Sequence, residues 1–145
     1  MSKIVYFMRH GKTGPGSPLN IDEAALSQEG EEEVKKAATL LRGENVPQKI
    51  YASGKKRCVE TARIVANILG LEKEVFIAPP LFLDSSISLE DLFLSASADL
   101  SLFVTHLPNL RTLLAPFLFP CEEPIFHPAC LLLFEKEERT LHQIY

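Results

Sequence analysis

The chain has 145 residues, 46% of them hydrophobic, enough to bury the core of one ordinary domain, and residues 1–145 are expected to form a single domain. A formal charge of −4 and a pI near 5.6 leave no basic stripe for a nucleic-acid backbone, so nucleic acid is not an expected partner. No apolar stretch reaches membrane-spanning length, the run 4–8 is too short for a secretory signal, and Cys58, Cys121 and Cys130 are an odd number without paired spacing, so a cytoplasmic, reducing location is expected and no membrane partner.

In chain order, residues 3–8 are nearly all apolar and suit a buried central strand, which stops at Arg9-His10-Gly11. Residues 11–20 carry three glycines and two prolines and read as a loop. Ser27 caps a helix whose first turn is acidic and whose last turn carries Arg42, with Gly43 beyond it. A short strand at 49–52 precedes a helix at 56–69, where Val59, Ala62, Ile64, Val65, Ala66 and Leu69 recur at roughly helical spacing before Gly70. Further strands are expected at 75–78 and 100–105, a helix around 88–95, and a helix from Pro108 to about Phe117. The tail, 129–134 and 139–144 around a charged turn, reads as a final strand pair.

This alternation implies an α/β three-layer sandwich, a mainly parallel central sheet with helices on both faces. Such sheets bind ligands at the carboxyl ends of their strands. Arg9-His10, Ser53 to Arg57, and Thr105-His106 each follow a strand, so one pocket is expected to collect two arginines and two histidines. Guanidinium groups match phosphoryl oxygens bidentately, and a neutral imidazole flanked by arginines is a competent nucleophile. His10 is therefore the expected attacker, Arg9 and Arg57 the phosphate ligands, and His106 a stabiliser of the transferring group. Gly11 is included among the expected substrate-binding residues.

Four motifs carry a resemblance over most of the chain: Phe7-Met8-Arg9-His10-Gly11, Leu26-Ser27-Gln28-Glu29-Gly30, the run from Ala52 through Arg57 to Ala62, and Val104-Thr105-His106-Leu107-Pro108. In this order they resemble the histidine phosphatase superfamily, with its phosphoglycerate mutase-like fold, and within it the small SixA-like phosphohistidine phosphatases. The resemblance implies that His10 is transiently phosphorylated and then hydrolysed by water, that Arg9, Arg57 and His106 surround the phosphate, and that no metal or other cofactor takes part. It gives Leu26, Ser27 and Gly30 a structural role. Gly54, Cys58 and Glu60 depart from the residues most common in the family, whereas Arg57 and Thr61 match. Thr13 stands where a small hydroxyl often follows Arg-His-Gly; a donor to phosphate and a solvated loop threonine are both open readings.

Relatives acting on phosphate esters use a carboxylic acid to protonate the leaving oxygen. Asp84 is the first candidate for that role, ahead of Glu90 and Asp91, although a solvated loop acid is the simpler reading of each. A site lacking the acid suits phosphohistidine, whose imidazole leaves readily. The stretch between the third strand and His106 is also too short for a large helical cap, so phosphate displayed on another protein could enter. The expected partner is a phosphorylated signalling protein, with a small phosphate ester as the enzymatic alternative and phosphoprotein binding without turnover as the non-enzymatic one. Cys58 with Arg63 misses the cysteine-phosphatase spacing by one residue, and Cys121, His127 and Cys130 fit no common zinc spacing.

Overall fold

The computed structural model describes residues 3–14, 24–77, 100–118 and 125–145. Its elements are β1 (Ile4–Arg9), α1 (Gln28–Thr39), β2 (Lys49–Ala52), α2 (Lys56–Leu69), β3 (Val75–Ile77), β4 (Ser101–Thr105), α3 (Leu107–Leu114), β5 (Leu131–Glu135) and β6 (Thr140–Gln143). The expected helix around 88–95, with Asp84, Glu90 and Asp91, lies outside the described residues, as does Cys121. Among the described residues no helix is long and apolar enough to cross a membrane.

One six-stranded sheet runs in the order β3-β2-β4-β1-β5-β6. The first four of these strands are mutually parallel, whereas β5 pairs antiparallel with β1 and β6 antiparallel with β5. Central β1 and β4 are apolar on both faces because both faces are covered. Tyr6, Met8, Leu102 and Val104 pack under α1 and α2, with Val34, Ala37, Ala38, Ala62, Val65 and Ala66 from the helices. On the opposite face Val5, Phe7 and Phe103 meet Leu110, Leu113 and Leu114 of α3. These are the helix, sheet and helix layers of a three-layer sandwich.

The register is marked by an aromatic row on the α3 face. Phe7 stacks on Phe103 at 5.7 Å, Phe103 on Tyr51 at 5.3 Å, and Tyr51 on Phe76 at 5.5 Å, each a directly registered pair on neighbouring strands. A one-residue slip of any strand would move its ring to the other face and break the row.

Helix boundaries follow local chemistry. The Ser27 hydroxyl accepts from the Gly30 N–H at 3.0 Å, as expected of a cap. α1 ends three residues before Arg42, because the amides of Leu40, Leu41 and Arg42 bond three residues back, to Ala37, Ala38 and Thr39, tightening the chain out of the α-helix. α2 spans the expected 56–69 and ends where Gly70 takes the left-handed conformation at φ 71°. α3 starts at Leu107, one residue before Pro108, and its continuation Ala115–Phe117 is a 3-10 turn rather than α-helix.

Candidate functional site

Strands β2, β4 and β1 are neighbours and parallel, so their carboxyl ends lie side by side at strand spacing, about 4.8 Å apart. Arg9 is registered with Thr105, which places His10 and His106 at the next step of adjoining strands. The ladder continues past the strands: the His10 N–H donates to the Thr105 carbonyl and the Ser53 N–H to the Val104 carbonyl, both at 3.0 Å. Arg57 enters from the first turn of α2. Arg9 is not beyond β1, as the sequence suggests, but is its last residue, and its N–H bonds to the Cys130 carbonyl at 3.2 Å.

His10 is buried, and its two ring nitrogens have different partners. Nδ1 lies 2.7 Å from the Gly11 carbonyl oxygen, which can only accept, so the proton is assigned to Nδ1. Nε2 then carries the lone pair and accepts from Arg57 Nε–H at 3.2 Å. The imidazole pKa is lowered from 6.5 to about 4, first by burial and then by the charges of Arg57, Arg9 and His106, against the Gly11 bond, which raises it. Burial is the larger cause, ahead of the arginines' charges. At pH 7, well above that value, the His10 imidazole is neutral.

Arg9 is half-buried, and burial lowers its pKa, though guanidinium stays charged. One corner, Nη1, donates to the Phe126 carbonyl at 2.7 Å. Its Nε and the Thr105 hydroxyl are buried and have no hydrogen-bond partner among the described residues. Buried donors without partners near the carboxyl ends of β1 and β4 fit a ligand rich in acceptor oxygens. Arg9, His10, Arg57 and His106 thus come together, all three other groups acting electrostatically on His10.

The loop after His10 is held by contacts that constrain residue size. A Cβ on Gly11 would stand 2.7 Å from Val34 Cγ2, and one on Gly30 would collide with the Lys12 carbonyl oxygen. Ser27 donates to that same carbonyl through its N–H at 2.9 Å and its hydroxyl at 3.2 Å. Thr13 forms an isolated antiparallel bridge with Leu26, which fixes its backbone. The exposed Lys12 pairs with Glu29 at 3.0 Å, as a rim charge does.

Thr61, a motif residue given no role from sequence, cross-links the two halves of the site. Its buried hydroxyl accepts from the Gly11 N–H at 3.0 Å and donates to the Arg57 carbonyl at 2.7 Å. Glu60 accepts from the Leu26 N–H at 3.3 Å, tying the same helix to the segment before α1. A threonine four residues after an arginine on a helix was the available sequence signal; that it bonds to Gly11, 50 residues away, was not.

Other nucleophiles have different surroundings. The Cys58 thiol is buried in the core and pushed up to about 11 chiefly by burial, the opposite of an activated thiolate. Cys130 is buried under the α3 face, and its pKa is also raised by burial. His127 Nδ1 bonds to the Pro128 carbonyl at 2.8 Å. Among the described residues no three His, Cys, Asp or Glu side chains cluster as metal ligands would.

The sequence profile of the histidine phosphatase superfamily (branch 1) matches residues 5–78, the segment that carries His10 and Arg57. The chain belongs to the histidine phosphatase superfamily. Solved structures agree with that membership in fold. The putative phosphohistidine phosphatase SixA from Agrobacterium tumefaciens superposes with a TM-score of 0.72 at 17% identity, over 99% of this chain and 96% of that one. A protein histidine phosphatase SixA complexed with tungstate gives 0.73 at 24% identity, over 98% and 94%. A phosphoglycerate mutase from Bacillus anthracis gives 0.63 at 15% identity, over 97% and 90%. Comparison with curated protein sequences gives no match.

The low imidazole pKa makes a prediction of direction. A base whose folded pKa lies below its unfolded value binds fewer protons when folded, so its contribution to stability is complete above about pH 6.5 and is lost as pH falls towards about 4. Nitrogen-detected NMR at about pH 5.5, between those limits, should show His10 Nε2 unprotonated and Nδ1 protonated. Titration with a midpoint near 6.5 would refute this electrostatic account.

Proposed function

We propose that the protein is a metal-independent phosphatase that uses His10 Nε2 as nucleophile and acts on phosphohistidine carried by a signalling protein. The observation that carries this reading is the neutral, buried His10 whose Nε2 lone pair meets Arg57 between Arg9 and His106. A phosphoryl group taking up that position meets two guanidinium groups and displaces Arg57 Nε–H from Nε2, freeing the lone pair. Nε2 attacks phosphorus, an N–P bond forms, and the bond to the leaving group breaks opposite it. Arg9, Arg57 and His106 stabilise the charge on the oxygens in flight. Water then attacks phosphorus, the N–P bond breaks, its electron pair returns to Nε2, and both protons of the water leave on the phosphate as dihydrogen phosphate.

Phosphohistidine suits this site because its imidazole, protonated on the remote nitrogen, departs neutral without an acid to assist it. The SixA structure with tungstate, a tetrahedral oxyanion, is in keeping with that ligand class. Thr13, on the loop that follows the nucleophile, serves as a substrate contact, whereas Gly11, whose N–H is taken by Thr61 and whose carbonyl is taken by His10, shapes that loop rather than binding substrate; Asp84 is reserved for the case in which an ester is the substrate. Buried free thiols at Cys58 and Cys130 are in keeping with a cytoplasmic protein.

The test is hydrolysis, with and without chelator, of a phosphohistidine protein beside a panel of small phosphate esters. The account expects faster turnover of phosphohistidine and no loss on chelation. Preference for an ester would overturn the substrate class and direct attention to Asp84, and loss on chelation would overturn metal independence.

A further inference from the structure

Arg9 points into the site with one corner tied back to the Phe126 carbonyl, so the direction of its remaining donors depends on where that carbonyl is held. Phe126 lies in the segment 125–130 that runs past the end of β1 before β5 begins. Two bonds from that segment reach the Arg9-His10 backbone: the Cys130 carbonyl accepts from Arg9 N–H at 3.2 Å and Ala129 N–H donates to the His10 carbonyl at 3.0 Å. Its far end would be loose, since the Ile125 side chain is 70% exposed. There the primary amide of Gln143, at the end of β6, grips both backbone groups of Ile125. Gln143 Oε1 accepts from Ile125 N–H at 2.9 Å, and Nε2 donates to the Ile125 carbonyl at 2.8 Å.

We infer that Gln143 is a positioning residue for the phosphate ligand Arg9, acting through Ile125 and the Phe126 carbonyl; this rests on the reading of the pocket as a phosphate site. A primary amide imitates one residue of a β-ladder, one donor and one acceptor side by side, and so fixes the peptide planes on both sides of the Ile125 Cα. The next residue is pinned by its ring: Phe126 is buried against the α3 face, with the Arg111 guanidinium 5.2 Å from the ring centroid. With both constraints in place the Phe126 carbonyl has one direction, and so has the guanidinium corner bonded to it. Glutamate cannot replace the amide, because its second oxygen would face the Ile125 carbonyl oxygen.

The probe is inorganic phosphate, titrated calorimetrically against wild type, Gln143→Ala, Gln143→Glu, Arg9→Lys and the double variant Arg9→Lys/Gln143→Ala. Gln143→Ala should weaken phosphate binding about tenfold, as expected for one misdirected charge-assisted bond, and Gln143→Glu at least as much. Because Gln143 is exposed, the melting temperature should change little; Gln143→Glu keeps the bond to Ile125 N–H and serves if the alanine variant is poorly folded. The decisive readout is the cycle: lysine cannot make the forked contact, so Gln143→Ala should add no loss in the Arg9→Lys background. Wild-type affinity in both folded Gln143 variants, or an equal loss with and without Arg9, would overturn the inference. Wild type that binds no phosphate at all would overturn the phosphate-site reading beneath it.

Discussion

Replacing His10 with alanine should reduce turnover at least about 10⁴-fold, as expected when the group that forms the covalent bond is removed and only binding and charge stabilisation remain. The prediction follows from the division of labour on the ring. Nδ1 is committed to the Gly11 carbonyl, so Nε2 alone is free to attack, and the low pKa keeps it unprotonated at neutral pH. His106 cannot substitute, because it follows β4, one strand over, and caps the first turn of α3 through its backbone. Folding should survive: the site segment keeps its backbone bonds to Thr105 and Ala129, and Gly11 keeps its bond to Thr61. Steady-state hydrolysis with a thermal-melt control checks this, and undiminished turnover by purified His10→Ala would refute the mechanism.

Loss of Arg57 should be the second-largest effect. Its guanidinium touches the nucleophile itself at 3.2 Å in the resting site, and phosphate entering there exchanges a weak neutral acceptor for charged oxygens. Arg57→Ala should therefore lower kcat/KM by about 10²–10³-fold, the range for removing one donor aimed at developing charge. Arg57→Lys should recover only part, since an ammonium cannot hold two oxygens in a plane. His10 should also respond: with one neighbouring cation gone its pKa should rise, so the same NMR titration reports the loss independently of activity. A variant with wild-type phosphate affinity and an unmoved His10 titration would contradict the role given to Arg57.

Much of this site was legible because its parts are local. A run of β-formers ending in Arg9-His10-Gly11, and a helix that opens four residues after Ala52 and closes at Gly70, announce strand ends and a helix N-terminus by residue type alone. The parallel order of β2, β4 and β1 then brings them together. The limits of β2 and α2 were readable for the same reason, whereas the end of α1 was not, because Leu40, Leu41 and Arg42 turn through backbone bonds that carry no residue-type signal. The supports of the site were hidden for a related reason. The partner of Arg9 is a backbone carbonyl 117 residues away, and Gln143 reaches Ile125 across 18 residues. Neither bond leaves a periodicity or motif. The depth at which His10 lies, the main cause of its low pKa, likewise emerges only once the chain has folded.

The claim that His10 itself carries the phosphoryl group is tested most directly by rapid-quench mass spectrometry of the wild-type enzyme during turnover of a phosphohistidine protein, quenched in alkali, where an N–P bond survives. The account predicts a transient gain of one phosphoryl group located on His10 and absent from His10→Ala. Full turnover with phosphate on another residue, or with none on the enzyme at any time, would contradict it.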